Sequence, residues 1–275
     1  MRIMLSTLIV LMTTSLAVGQ VAAKREGKQP KTGDDKQVVT FETSDGVTIE
    51  ADYYPPEVKG KDKAPVAILI HMWPADRSSW KPLVPHLRKA GFAILAYDIR
   101  GNGGSTKPAD KNLGKRYKDG DSEHFNNAWK DAEAAKEWLA HQDRCDTTRI
   151  ALVGASIGCS ISLDFGSRDE AVKAIVCLSP GTKYFGVDSK AHIKTCGKRA
   201  ILLMSPEGEY AAVKKLIKAS EEHAKGKQYP GGNERHGTHM FSADYGEKVI
   251  AKITEFIRDA VEVKHAPSPA PGVAA

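Results

Sequence analysis

The stretch RIALVGASIGCSISLDFGS, residues 149–167, runs from apolar and β-branched residues into a knot of small ones, Gly154-Ala155-Ser156-Ile157-Gly158, and out into a second apolar run. A strand that turns at once into a helix needs little bulk at its corner, and glycines around a lone hydroxyl suit a tight, strained turn that points the serine outward. Ser156 is therefore a candidate nucleophile. The same pattern also fits a glycine-rich turn whose serine merely caps a helix. The remainder of the chain has to decide between them.

Other reactive groups are less promising. Cys145, Cys159, Cys177 and Cys196 form no CxxC pair and no zinc-ligand spacing. Cys159 lies one helical turn beyond Ser156 and Cys177 sits inside the apolar run AIVCLSP, so both read as buried thiols. Cys145 and Cys196 precede expected strands. If those strands are parallel neighbours or near neighbours, the two thiols share one sheet edge and an exported chain could join them, a closure worth on the order of 4 kcal/mol. Two free thiols is the alternative reading. His236 and His239, in GGNERHGTHMF, make an HxxH pair without a third ligand at a sensible spacing, so no metal is expected. Gly101-Asn102-Gly103-Gly104 fails the G-x-G-x-x-G spacing and reads as a supporting loop, and no cofactor is expected.

These groups must be carried by a chain of 275 residues, 41% hydrophobic and 27% charged, an ordinary globular composition with room for one large α/β core. Residues 1–23 differ: Arg2 is the only charge, Ile3 to Val18 is apolar and hydroxylated, and Ala17-Val18-Gly19 or Val21-Ala22-Ala23 offers small residues for cleavage. This segment reads as a secretory signal peptide, with an uncleaved anchor as the alternative. The expected location is secreted or periplasmic. Residues 24–36 are polar and charged without periodic apolar positions, and residues 263–275 are rich in proline and alanine, so both read as disordered tails. The net charge of +6 includes the segment KPADKNLGKRYKDGD, which has no aromatic ladder. It reads as a solvated loop, and no nucleic-acid partner is expected.

Residues 37–54 alternate around Ser44-Asp45-Gly46, a hairpin signature. APVAILIHM and FAILAYD then read as buried strands flanking a helix through Trp80, Leu83, Val84 and Leu87, which implies a right-handed parallel crossover. A helix is expected over about residues 122–142, then the strand RIALVGAS, a helix from Ser156, and the strands VKAIVCLSP and RAILLMS. The helix YAAVKKLIKASEEHA and a final helix with an apolar stripe at Val249, Ile250, Ile253, Phe256, Ile257, Ala260 and Val261 complete the set. The expectation is a mostly parallel α/β sheet with helices on both faces and an N-terminal antiparallel hairpin, spanning 37–262.

In this order the chain resembles the α/β-hydrolase superfamily, especially its compact esterases and dienelactone-hydrolase-like members. The likeness rests on the turn His71-Met72-Trp73, the segment YDIRGNGGS, the elbow around Ser156 and a late His-Gly. The resemblance implies a Ser-acid-His triad. It makes His236, which precedes a glycine, the base rather than His239. It aligns Glu209 with the acid, Glu207 being the alternative, and a glutamate stands where the family more often has aspartate. It implies backbone oxyanion donors at Ile157 and at Trp73, with Met72 the alternative because it replaces the usual glycine. His71 is expected to tie its loop by hydrogen bonds. The loop GTKYFGVDSKAHIKTC is too short for the helical lid of many lipases, so an open pocket is expected. The function so implied is cleavage of a carboxylic ester, small or lactone-like, through an acyl-enzyme. Acyl transfer or peptide cleavage by the same triad is the alternative, and a noncatalytic binding protein with this fold is the other. The expected partner is a small-molecule ester.

Overall fold

The structure, a computed structural model, describes residues 36–57, 62–106 and 112–261. The expected signal segment, the leader up to residue 35 and the tail lie outside the described residues. Lys36, placed by the sequence in the leader, reaches Asp52 with its Nζ at 3.2 Å and so joins the folded part.

The hairpin pairs β1 (Gln37–Glu42) with β2 (Thr48–Tyr54), Gln37 opposite Tyr53 and Glu42 opposite Thr48. β3 (Ala64–Ile70), α1 (Val84–Lys89) and β4 (Ala93–Tyr97) follow. Next come α2 (Leu113–Lys118), α3 (Ser122–Asn126), α4 (Trp129–Ala140), β5 (Cys145–Ala155) and α5 (Ile157–Arg168). β6 (Val172–Leu178), α6 (Ser189–Thr195), β7 (Ala200–Pro206), α7 (Tyr210–Ala219), β8 (Lys225–Tyr229) and α8 (Gly246–Ala260) complete the order. One eight-stranded sheet runs β1-β2-β4-β3-β5-β6-β7-β8, antiparallel at β1, β2 and β4 and parallel from β4 to β8.

The central strands are continuous apolar runs because both their faces are covered. Successive residues feed different cores: Ile68, Ile70, Leu95, Ile150 and Leu152 pack with α4, α5 and α7, whereas Ala67, Leu69, Ile94, Ala151 and Val153 pack with α1 and α8. The stripe on α8 does what its spacing predicts, with Val249, Ile250, Ile253, Ile257 and Val261 buried and Phe256 and Ala260 packed at its margin.

Three expectations need correction, and one strand is added. The helix expected over 122–142 is broken into α3 and α4. His124 Nε2–H donates to the Arg100 carbonyl at 2.8 Å, while Asp131 accepts from the Arg100 N–H at 3.0 Å. A straight helix would separate those two residues by about 10 Å along its axis, so serving one residue of the facing loop requires a break. The lysine-rich segment is not wholly a solvated loop, since α2 buries Leu113 and Tyr117. The segment before β7 likewise contains α6, capped by Asp188 and burying Ile193. β8 adds a strand whose KGKQY shows no apolar alternation. It is an edge strand, exposed except at Tyr229, and lysines there blunt an open edge.

Of the two readings of Cys145 and Cys196, the structure has the free thiols. All four cysteines are free and buried. Cys145 opens β5 opposite Ala64 of β3, and Cys196 is the C-cap of α6. Cys145 Sγ instead meets the Tyr53 hydroxyl at 3.4 Å, and Cys196 Sγ donates to the Leu163 carbonyl at 3.6 Å.

Candidate active site

Ser156 is the single residue between β5 and α5, with φ 51° and ψ −115°, a left-handed conformation that a residue bearing a Cβ adopts only under constraint. Its N–H donates to the Leu178 carbonyl at the end of β6 at 2.9 Å, and its carbonyl accepts from Cys159 N–H at 3.0 Å. The glycines around it serve close approach. A Cβ on Gly158 would collide with the Ile70 carbonyl and lie 2.8 Å from that of His71, and one on Gly154 would collide with the Gly158 carbonyl. The strain therefore sits on the serine itself. Only 7% of Ser156 is exposed, so the side chain lies in a recess rather than pointing freely outward.

His236 stands between two short 3-10 turns, Asn233–Arg235 and Gly237–Ser242, beyond β8. Its Nδ1–H donates to Glu209 Oε1 at 2.7 Å. Glu209 closes the turn Glu207–Glu209 between β7 and α7; its Oε2 is buried without a hydrogen-bond partner, while Glu207 is exposed. Of the two acids weighed from the sequence, Glu209 is thus the one that meets the imidazole. His239 is exposed. With Nδ1 carrying the shared proton, Nε2 is the basic nitrogen of the neutral ring.

Gly237 seats this histidine loop beside the serine. It has φ 56°, its N–H donates to Ser179 Oγ at 2.9 Å, and a Cβ there would lie 3.4 Å from that of Ala155 and 2.6 Å from Met72 Sδ. Tyr184, from the loop after β6, joins this corner: its ring meets the His236 imidazole edge-on at 6.4 Å, its hydroxyl donates toward the Ser179 carbonyl at 3.4 Å, and the Ser156 side chain tempers the rise in its pKa. The C-terminal ends of β5, β6, β7 and β8 thus carry a strained hydroxyl, a phenol, a carboxylate and an imidazole at one end of the sheet, where open α/β sheets bind ligands. Nothing in the sequence singled out Tyr184, which lies in no motif.

On the β3 side, His71 is fully buried. Its Nδ1–H donates to the Met72 carbonyl at 2.9 Å and its Nε2 accepts from Ile99 N–H at 3.0 Å, the loop-tying role expected of it. Burial pushes its pKa below the ordinary histidine value and keeps it neutral. The Met72 carbonyl is turned to His71, so the N–H of the same peptide, that of Trp73, is turned away from it. Ile157 N–H begins α5 and has no intrahelical acceptor.

Ion-paired residues hold the surrounding loop. Arg100 Nε donates to the fully buried Asp131 at 2.7 Å and its other nitrogens to Asp45 at 2.8 and 3.0 Å. Arg77 joins Glu50 at 2.6 Å, Asp52 at 2.9 Å and Asp98. The D-x-R-G pattern announces Asp98 and Arg100; nothing in the sequence marks Arg77. Among the described residues no group of three or more His, Cys, Asp and Glu side chains is arranged to hold a metal ion.

A family model for the alpha/beta hydrolase fold matches residues 65–203. An uncharacterized protein of Mycobacterium tuberculosis is 30% identical over 145 residues, 52% of this chain and 45% of that protein. Epoxide hydrolase A of the same organism is 47% identical over 49 residues, 18% of this chain and 15% of that enzyme. The chain thus matches less than half the length of these relatives. Among solved structures, the esterase Pf2001 of Pyrococcus furiosus superimposes with a TM-score of 0.67 at 14% identity, covering 83% of this chain and 92% of that one, a likeness of fold.

Proposed function

For a chain that belongs to the alpha/beta hydrolase fold family, we propose a hydrolase that cleaves a carboxylic ester, small or lactone-like, by Ser156 through an acyl-enzyme. The observation that carries this reading is the 2.7 Å bond from His236 to Glu209 on a loop seated against Ala155, next to the strained serine.

A serine hydroxyl attacks poorly at neutral pH because it holds its proton. His236 Nε2 takes that proton as Oγ bonds to the acyl carbon, and Glu209 holds the tautomer and stabilises the imidazolium. The developing oxyanion is met by the N–H groups of Ile157 and Trp73, Trp73 being preferred to Met72 because the Met72 carbonyl already fixes that peptide's direction. His236 returns the proton to the departing alcohol, and water then releases the acid by the same steps. No resident cofactor is needed. The apolar segment at the N-terminus supports secretion or a periplasmic location.

The test is a fluorophosphonate probe on the folded protein, followed by matched ester and amide panels. Ser156 should become labelled, and esters should be cleaved in preference to amides by the wild type but not by Ser156→Ala. Absence of labelling at Ser156 sinks the reading, and faster amide cleavage would redirect it to peptide bonds.

A further inference from the structure

The loop between β6 and α6 is built to present one phenol. After Ser179 the chain doubles back in a tight turn: Val187 N–H donates to the Tyr184 carbonyl at 2.9 Å, and the two residues form an isolated antiparallel bridge. Between them Phe185 has φ 44° and Gly186 φ 86°. A phenylalanine in the left-handed region costs on the order of 1 kcal/mol. The offset is aromatic: the Phe185 ring stacks on the buried Phe125 at 4.6 Å and meets Trp73 edge-on at 5.9 Å. From the other side Gly181 makes room, since a Cβ there would lie 2.5 Å from the Tyr184 ring. Strain retained where packing enforces it marks a residue placed for use, and the residue this turn places is Tyr184.

Its surroundings define the use. The ring lies edge-on to His236, and the hydroxyl donates toward the Ser179 carbonyl at 3.4 Å, a long and weak bond that a better acceptor can displace. The backbone donors proposed for the oxyanion come from other segments, the start of α5 and the turn after β3. A donor packed on the histidine lies on the face where His236 hands its proton to the departing group. Burial pushes the phenol up to about 12, so it keeps its proton and remains a donor at neutral pH.

Resting on the serine-hydrolase reading above, we propose that Tyr184 is a further catalytic residue, donating a hydrogen bond to the leaving-group oxygen of the tetrahedral intermediate. As Oγ bonds to the acyl carbon, the Oγ proton passes to His236 Nε2. When the bond from that carbon to the leaving oxygen breaks, the same proton moves from Nε2 to that oxygen. Tyr184 steadies the charge gathering there and keeps its own proton throughout. It matters most for alcohols that leave poorly, such as alkyl alcohols, and little for nitrophenolate, which leaves without help.

The experiment is Tyr184→Phe, which keeps the ring on His236 and removes only the hydroxyl, assayed on alkyl and nitrophenyl esters of one acid. The expected result is a fall in kcat/KM of about 10- to 100-fold for alkyl esters against no more than about threefold for nitrophenyl esters. Equal losses on both series, or none, overturn the proposal. The wild type gives an independent reading if the variant melts early: its rates should vary weakly with the acidity of the alcohol, and a steep dependence overturns the proposal. Fluorophosphonate labelling of both proteins separates the two levels. If Ser156 is labelled in each and the variant loses nothing, only the role of Tyr184 fails; if Ser156 is labelled in neither, the hydrolase reading fails and takes this role with it.

Discussion

Replacing Glu209 by glutamine is the sharpest test of how the imidazole is supported. The carboxylate gives one oxygen to His236 Nδ1–H at 2.7 Å, and its other oxygen has no partner, so its contacts serve the histidine alone. The glutamine carbonyl can still accept from Nδ1–H; what disappears is attraction between carboxylate and imidazolium at the moment the ring carries the serine's proton. With charge centres about 4 Å apart and an effective dielectric constant of about 20, that attraction is about 4 kcal/mol. At about 1.4 kcal/mol per tenfold in rate this is about 10³-fold. Part is recovered by the neutral hydrogen bond, so kcat on an ester identified with the wild type should fall between about 10²- and 10³-fold, with KM within about twofold. Thermal unfolding should stay level or rise, because a partly buried charge with an unpartnered oxygen is removed. Glu207→Gln should leave kcat within about twofold, since its side chain is exposed. A Glu209→Gln enzyme that keeps more than a tenth of its kcat, or a Glu207 variant equally impaired, would refute the assignment.

Gly158→Ala drives a methyl into the Ile70 carbonyl, and urea unfolding should show a loss of about 3 kcal/mol as α5 is forced from β3. Acid sensitivity follows from His124: burial pushes the native ring down to about 4, whereas the unfolded ring takes its proton near 6.5. Between those values the unfolded state binds more protons, so stability falls as pH is lowered through that window. The fully buried His71 acts in the same direction. Urea midpoints at pH 7 and near the lower end of the window should differ less in His124→Gln than in the wild type. A thiol reagent added without reductant should find almost nothing in the native protein and all of Cys145, Cys159, Cys177 and Cys196 after unfolding. A bridge between Cys145 and Cys196 would leave only the other two reactive.

Local periodicity carried most of the scaffold. The runs APVAILI, AILAY and VKAIVCL can be soluble only when covered on both faces, so alternating helices and a parallel sheet follow from them. The α8 stripe likewise states which side meets the sheet. The elbow and the D-x-R-G loop were legible because each encloses its own geometry: glycines where backbones meet, and a strained serine at a strand end. β8 left no such trace, since an exposed edge strand gains little from apolar alternation and protects itself with lysines. The break between α3 and α4 was hidden for a different reason. It answers to Arg100, a residue of another segment.

The sequence by itself determined that a strand ends on Ser156 in a parallel sheet and that acidic and histidine-bearing loops follow it in order, because these depend on neighbours along the chain. Tertiary structure decided that Glu209 and not Glu207 meets His236, that Cys145 and Cys196 are free thiols with different partners, and that Tyr184 packs on His236. Each of these is a distance of a few ångströms between residues far apart in the chain, set by strand order and by side chains packing from opposite sides of the same site, and no local pattern encodes such a distance.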